Sequence, residues 1–402
     1  MTSDLGAAGR PAWVEIDLDA IRHNVHQLRR LLPRGVRFMA VIKADAYGHG
    51  AVPVARAALA AGAEWLGVAL VEEALVLRQA GITAPILVFA PLRPEAADLY
   101  RQYGLRASVT DLAVARAAAG EGRPVKVHLK VDTGMGRIGV LPDDVPDLLE
   151  RLRTIPGLEV EGIYTHFSTA DDWETDHFEQ QRERFSRLLR RLEAAGRRPP
   201  LAHMANSAAL LRDAGTAADM VRIGAGIYGI VPPQHGLAPV PLRPALAIKA
   251  KIVQVRRIPA GWKIGYGATY VAPRPSTLGI VPVGYADGYD RGLSNRAHVL
   301  IRGRRMPIVG RVCMDQLIVD AGDADIAVGD EVVLLGRQGQ AESSALDLAD
   351  WAQTIPDEIV SRLGSRLPRR YPSPIPQAMP RARAAAGFAP APAHAQVPPE
   401  IR

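Results

Sequence analysis

The chain supplies its positive charge almost entirely as arginine. Of 49 basic residues only six are lysine: Lys43, Lys126, Lys130, Lys249, Lys251 and Lys263. A guanidinium stays protonated and cannot condense with a carbonyl, whereas a desolvated amine can serve as nucleophile or base. Lys43 ends the apolar run Phe38-Met-Ala-Val-Ile-Lys43, and Tyr47, Gly48 and Gly50 follow closely. Either a reactive amine or a solvent-facing lysine fits that pattern. Tyr47, four residues on, can reach the same face, and the glycines let a ligand approach the backbone.

A second group lies in Val127-His-Leu-Lys130-Val-Asp-Thr-Gly-Met-Gly-Arg137-Ile-Gly139. Gly134–Gly139 matches GxGxxG, a dinucleotide fingerprint when it opens the first βαβ unit of an open sheet. Here the match follows a fifth strand and contains an arginine, so an anion site built on Arg137 competes with that reading. Lys130 would repel Arg137 unless its charge is removed or screened. His166 ends the run Gly162-Ile-Tyr-Thr-His166, where an acid–base role, a polarising role and a satisfied core histidine are all open. Asn206-Ser207 and Arg222-Ile-Gly224-Ala225-Gly226 end two further runs. No His/Glu/Asp spacing matches a metal motif.

The elements that must position these residues alternate in type from about Val14 to Gly224. Candidate strands are Arg37–Ile42, Trp65–Leu70, Ile86–Phe89, Leu105–Val109, Val125–Val131, Leu158–Tyr164, Leu201–Met204 and Met220–Ile223. Helical spacing separates them, as in Val52–Ala61, Val71–Ala80 and Phe178–Ala195. Eight such alternations predict a (β/α)8 TIM-like barrel over residues 13–243, after an N-terminal arm of residues 1–12. From residue 244 to 371 short Val/Ile-rich runs between Gly/Pro/Asp turns predict a mostly β second domain. Residues 372–402 are Pro/Ala-rich and read as a disordered tail.

Composition narrows the function classes. An apolar share of 48% and a charged share of 23% are those of a soluble globular protein. No run reaches the roughly 18 apolar residues of a membrane span, and no apolar signal region opens the chain, so a cytoplasmic protein without membrane partner is expected. The single cysteine, Cys313, excludes a disulfide framework and a cysteine zinc site. The net charge of +7 raises nucleic-acid binding, but the Arg-rich stretch Arg182–Arg198 is interrupted by acids and reads as a solvated helix face.

Active sites of such barrels lie at the C-terminal ends of the strands, with phosphate often held after strands 7 and 8. A lysine amine facing Ser207 and the Gly224–Gly226 amides across one mouth points to pyridoxal 5′-phosphate. Arg222 would then meet the pyridine nitrogen, where an acid is usual, and weaken the ring as an electron sink.

The segment Ala40-Val-Ile-Lys43-Ala-Asp-Ala-Tyr47-Gly-His-Gly50 resembles the cofactor-attachment signature of the alanine racemases. The likeness continues through His128–Gly139, Gly162–Phe167, Asn206-Ser207, Val221–Gly229, Ile264–Tyr270, Val283–Gly288 and Arg311–Asp320, spanning about Val14 to Arg370. It implies a pyridoxal-phosphate barrel joined to a β domain, and a homodimer in which each β domain completes the partner's site. The implied reaction interconverts L- and D-alanine and supplies D-alanine for peptidoglycan. Lys43 would carry the cofactor and be one base; Tyr266 of the other subunit would be the second. A free phenol titrates near pH ~10, and the resemblance supplies a chain from the tyrosine through His166 to Arg222. Arg137 matches the residue on the cofactor's phenolic oxygen and the substrate carboxylate, and Lys130 a lysine commonly carbamylated. Tyr47, Ser207, Gly224 and Ala225 match phosphate ligands, with Asn206 beside them. Met314 matches a substrate-carboxylate contact and Tyr285 an aromatic near the substrate methyl. One departure stands out: Ser365 replaces a phosphate-binding tyrosine, and Tyr371 is the nearby substitute. Serine racemisation and a non-catalytic cofactor-binding protein are the alternatives; the latter kind lacks the β domain and Tyr266.

Overall fold

A computed structural model describes residues 9–230 and 240–372. The predicted tail and most of the predicted arm lie outside the described residues. Strand β1 (Ala12–Ile16) comes first, followed by β2 (Arg37–Val41), β3 (Trp65–Val68), β4 (Ile86–Pro91) and β5 (Arg106–Val109). Then come β6 (Val125–Lys130), β7 (Leu158–Tyr164), β8 (Leu201–His203) and β9 (Met220–Ile223). Strands β2–β9 form one parallel eight-stranded sheet in which β9 returns to pair with β2. The seam between β8 and β9 is bridged by Asp219 N–H to Ala202 O and Arg222 N–H to Ala205 O, each 3.0 Å. The barrel is therefore closed by hydrogen bonds on every side.

These strands are continuous apolar runs because both faces are covered. In β2, Phe38 to Val41 are all buried, and Met39, Trp65, Leu87, Leu201 and Met220 form one apolar cluster. The helices cover the outer face with amphipathic stripes. Leu18–Arg29 is typical: Asp17 caps it by accepting from the Asp19 and Ala20 amides, and Leu18, Ile21, Val25 and Leu28 are buried. All eight strands expected from the sequence are present, each within two residues at either end.

Strand β1, by contrast, is not part of the barrel. It pairs antiparallel with β10 (Leu246–Lys251) and parallel with Arg369–Arg370, inside the second domain's main sheet. The chain thus enters the β domain before it builds the barrel, a crossing the sequence reading did not contain. The Val/Ile-rich run Leu246–Val255 also divides: β10 ends at Lys251, and Gln254–Ile258 joins a separate sheet with Ser276–Val281 and Leu317–Gly322. A two-residue hairpin, Lys263–Ile264 with Tyr270–Val271, was too short to read and carries Tyr266 in its turn.

The Arg-rich stretch, mostly on the helix His177–Ala194, is laced with ion pairs. Arg182 meets Glu179 and Asp213, Arg187 and Arg190 meet Glu183, and Arg198 meets Asp219. No helix among the described residues is long and apolar enough to cross a membrane.

Candidate active site

Lys43 leaves the end of β2 into a turn of unusual hand. Ala44, Asp45, Ala46 and Tyr47 have φ of 52°, 50°, 56° and 54°, left-handed values that cost about 1–2 kcal/mol per non-glycine residue. Tertiary contacts hold the turn. Glu73 accepts from the Ala44 amide at 2.7 Å and, through its other oxygen, from Ala69 and Leu70. Asp45 accepts from the Ala51 amide at 2.7 Å. A Cβ on Gly48 would lie 2.2 Å from the carbonyl oxygen of Val360, so glycine there lets the helix Pro356–Ser361 settle onto the turn. Strain concentrated beside a reactive amine is a mark of functional sites. Lys43 is half-buried, between the two readings the sequence left open, with its Nζ 5.9 Å from the centre of the Tyr47 ring.

Across the mouth, Ser207 Oγ accepts from the Gly224 and Gly226 amides, both at 3.1 Å. A Cβ on Gly224 would sit 2.6 Å from the Tyr47 hydroxyl, which shows how closely that hydroxyl approaches the same backbone. Burial, reinforced by Asp357, pushes Tyr47 well above the ordinary phenol range, so it is a hydrogen-bond donor at neutral pH. Asn206 caps the helix Ser207–Arg212 through its side-chain oxygen, which leaves only its amide hydrogens for a ligand. Tyr371 does not join this group: its hydroxyl donates to His49 O at 3.1 Å. Ser365 is exposed.

Arg222 marks the opposite pole. It is 4% exposed, and its Nη atoms donate to Thr165 O (2.7 Å) and Met204 O (3.1 Å) and contact His166 Nδ1 (3.2 Å) and His203 Nδ1 (3.1 Å). Burial lowers its pKa to about 10, and it remains a cation. Burial and then Arg222 hold His166 and His203 well below the usual imidazole range. A chain continues inward from His203 Nε2 to His128 Nδ1 at 2.8 Å, and from His128 Nε2 to Glu161 at 3.3 Å. A guanidinium only donates and a carboxylate only accepts, so both histidines are neutral and carry their hydrogen on Nε2. The sequence reading included none of these inner partners.

Lys130 is 2% exposed and donates to Val131 O. Burial first, then Arg222 and Arg137, bring its pKa down to about 8, against the opposing pull of Asp132. The expected repulsion with Arg137 is therefore present. Arg137 itself is exposed at the mouth, on a loop fixed by Asp132, whose carboxylate accepts from the amides of Gly134, Met135 and Arg137. That loop leads to no helix at Gly139, so the glycine pattern here builds a turn and not a dinucleotide site.

Tyr266 is 70% exposed, Met314 53% and Tyr285 41%. The Tyr285 amide bonds Cys313 O and the Ala286 amide bonds Met314 O, which places Tyr285 beside Met314. Within one chain, Tyr266 has no hydrogen-bond partner among the described residues, and His166 is joined to Arg222 alone of the proposed chain.

Buried neutral histidines make acid sensitivity an expected result. His49, His128 and His203 are each 0% exposed; burial brings His49 down to about 4 and lowers the other two. Their unfolded pKa is about 6.5, so below that pH the unfolded chain binds protons that the folded chain refuses. The associated stability is complete above pH ~6.5 and is lost as pH falls toward the folded values, by up to about 1.4 kcal/mol per unit for each histidine. Thermal midpoints measured from pH 8 to 5 should decline steeply below about 6.5; a flat profile would contradict the neutral assignment.

The donor set fits pyridoxal 5′-phosphate. Ser207, Tyr47 and the Gly224 backbone gather uncharged donors around a pocket that a side chain at Gly224 would fill, as a phosphate requires. Arg222 presents donors at the other pole for an acceptor nitrogen, and the Lys43 amine opens on the same mouth.

Comparison with known proteins agrees with this geometry. The alanine racemase N-terminal domain model matches residues 16–232 and the alanine racemase C-terminal domain model residues 245–371. An alanine racemase of Symbiobacterium thermophilum is 50% identical over 357 residues, covering 87% of this chain and 94% of that protein. A crystal structure of alanine racemase from Bacillus anthracis with bound L-Ala-P superposes with a TM-score of 0.86 at 40% identity, covering 90% of this chain and 95% of the other. A histidine racemase from Leuconostoc mesenteroides superposes at 0.83 with 32% identity, covering 92% of this chain and 100% of that one. With both domain models matched in order around this mouth, the chain belongs to the alanine racemase family.

Proposed function

We propose that this racemase interconverts L- and D-alanine in the cytoplasm with pyridoxal 5′-phosphate, and so supplies D-alanine for peptidoglycan. The observation that carries the reading is the single mouth shared by the Lys43 amine, the Ser207–Gly224–Gly226 cradle and the Arg222 pole. Ser207, Tyr47 and the Gly224 and Ala225 backbone would hold the phosphate, Lys43 the aldehyde carbon, and Arg222 the ring nitrogen. When bound, the cofactor supplies the electron withdrawal that makes the substrate's α-hydrogen acidic. Arg137 grips the substrate carboxylate, and carbamylation of Lys130 would turn its repulsion of Arg137 into attraction. A pKa of about 8 supports that modification, because an appreciable neutral amine is available to carbon dioxide.

Racemisation needs a base on each face of the α-carbon. Lys43 serves one face. Tyr266 serves the other, delivered with Met314 and Tyr285 by the β domain of a second copy in a homodimer. Their exposure in the single chain supports this, since large apolar and aromatic groups so open are usual at interfaces. The histidine racemase of the same fold makes a different substrate the second reading, with Tyr285 as the residue that would narrow the site for a methyl group.

The test pairs two inactive variants. Lys43→Ala and Tyr266→Phe, mixed under subunit exchange, should regain activity on alanine, because each heterodimer carries one intact site. Assayed in parallel, serine and histidine should be turned over more slowly. No regain in verified heterodimers would contradict the shared site, and faster turnover of histidine would reassign the substrate.

A further inference from the structure

The loops that carry Arg137 and His166 leave different strands, β6 and β7, and one buried side chain spans them. Gln181 lies on the helix His177–Ala194 and is 0% exposed. Its Nε2 donates to Thr133 Oγ1 at 3.3 Å and to His166 O at 3.1 Å. Its Oε1 accepts from both the amide and the hydroxyl of Ser168, each at 3.0 Å. Only one orientation of the amide works, because the His166 carbonyl cannot donate and the Ser168 N–H cannot accept. Thr133 Oγ1 is in turn 2.8 Å from Thr165 Oγ1, and Thr165 O receives Arg222.

The same helix face reinforces the contact. His177, Gln181 and Arg184 recur at intervals of four and three, the spacing of one helical stripe. His177 Nε2 is 2.9 Å from Gly134 O, and Arg184 donates to Thr133 O at 2.8 Å. Three polar side chains on one stripe of this amphipathic helix thus hold the two residues where the Arg137 loop begins. A fully buried amide with both its donors and its acceptor engaged is costly to misplace, and here it joins the two loops that the proposed chemistry needs in register.

We infer that Gln181 is a positioning residue that sets the separation between Arg137 and His166. It touches neither substrate nor cofactor; it acts through Thr133 on one loop and through the His166 carbonyl on the other. The inference rests on the proposed role of Arg137 as the carboxylate grip.

Gln181→Glu keeps the shape and the acceptor but turns an oxygen toward His166 O. Thr133→Val keeps the volume and removes the Oγ1 bonds to Gln181 and Thr165, and it serves if the first variant folds poorly. Each should raise KM for the amino acid by roughly 10- to 100-fold, the scale of an ångström-sized misplacement, with kcat changed less. Amide hydrogen exchange should speed up at residues 133–139 and 166–169 in protein with and without cofactor. Affinity for the cofactor should hold, because its phosphate cradle lies on other loops. Unchanged KM and unchanged exchange in a folded variant overturn the inference, as does a lowered melting temperature with neither effect. Arg137→Ala is the control: if it leaves KM unaltered while Gln181→Glu loosens both loops, the reading of Arg137 falls and the positioning role stands.

Discussion

Replacing Lys43 with alanine should abolish racemisation and release the cofactor from covalent attachment. The side chain has two proposed duties, anchoring the aldehyde and moving a proton on one face, and no neighbour can assume either. Lys130 is committed to Val131 O inside the barrel, and Lys263 is exposed in the β-domain hairpin. Loss of one positioned acid–base group alone costs about 10²–10⁴-fold, and the lost anchor adds to that. Borohydride reduction of the wild-type holoenzyme, followed by peptide mapping, should leave the pyridoxyl label on Lys43. A label on Lys130 or Lys263 would reassign the site, and a Lys43→Ala protein that still racemised alanine at a tenth of the normal rate would remove Lys43 from the chemistry.

Tyr266→Phe should lower racemisation by about 10²–10⁴-fold, and unequally for the two enantiomers. The substitution removes the hydroxyl and keeps the ring, so packing of the hairpin turn is retained. On the proposed mechanism, following the family resemblance, Tyr266 would take the proton from L-alanine and Lys43 from D-alanine. Exchange of the α-hydrogen with deuterium from solvent should therefore survive better for D-alanine. Equal exchange of both enantiomers near the wild-type rate would show that the tyrosine is no base, and a single-base mechanism would be required.

What could be read from the sequence depended on where each residue's partner lies. The eight barrel strands were legible because strands buried on both faces must be unbroken apolar runs, and Lys43, Ser207 and Arg222 stand at their ends as side chains with distinctive chemistry. Asp132 was legible in principle, since an aspartate before Thr-Gly is a local turn signal, yet its three amide contacts were not foreseen. Glu73 and Gln181 gave no such signal: each holds a catalytic loop from a different helix, and nothing local separates them from surface glutamates and glutamines. The inner run from His203 through His128 to Glu161 was hidden for the same reason, each member sitting on a different strand. Tyr371 illustrates the opposite error. Its proximity in sequence to a missing tyrosine invited a role, and the fold gives its hydroxyl to His49 instead.

The crossing of β1 into the second sheet has a consequence for how the molecule is made. β1 is synthesised among the first residues, but its partners β10 and Arg369–Arg370 are made only after the whole barrel. At about 5–20 residues per second on the ribosome, the whole barrel emerges during an interval of tens of seconds in which β1 has no strand to pair with. Ala12-Trp13-Val14-Glu15-Ile16, mostly apolar and buried in the finished sheet, spends that interval as an open edge. The newborn chain is thus most exposed to aggregation through its earliest strand, and a fragment ending after the barrel would carry that liability permanently.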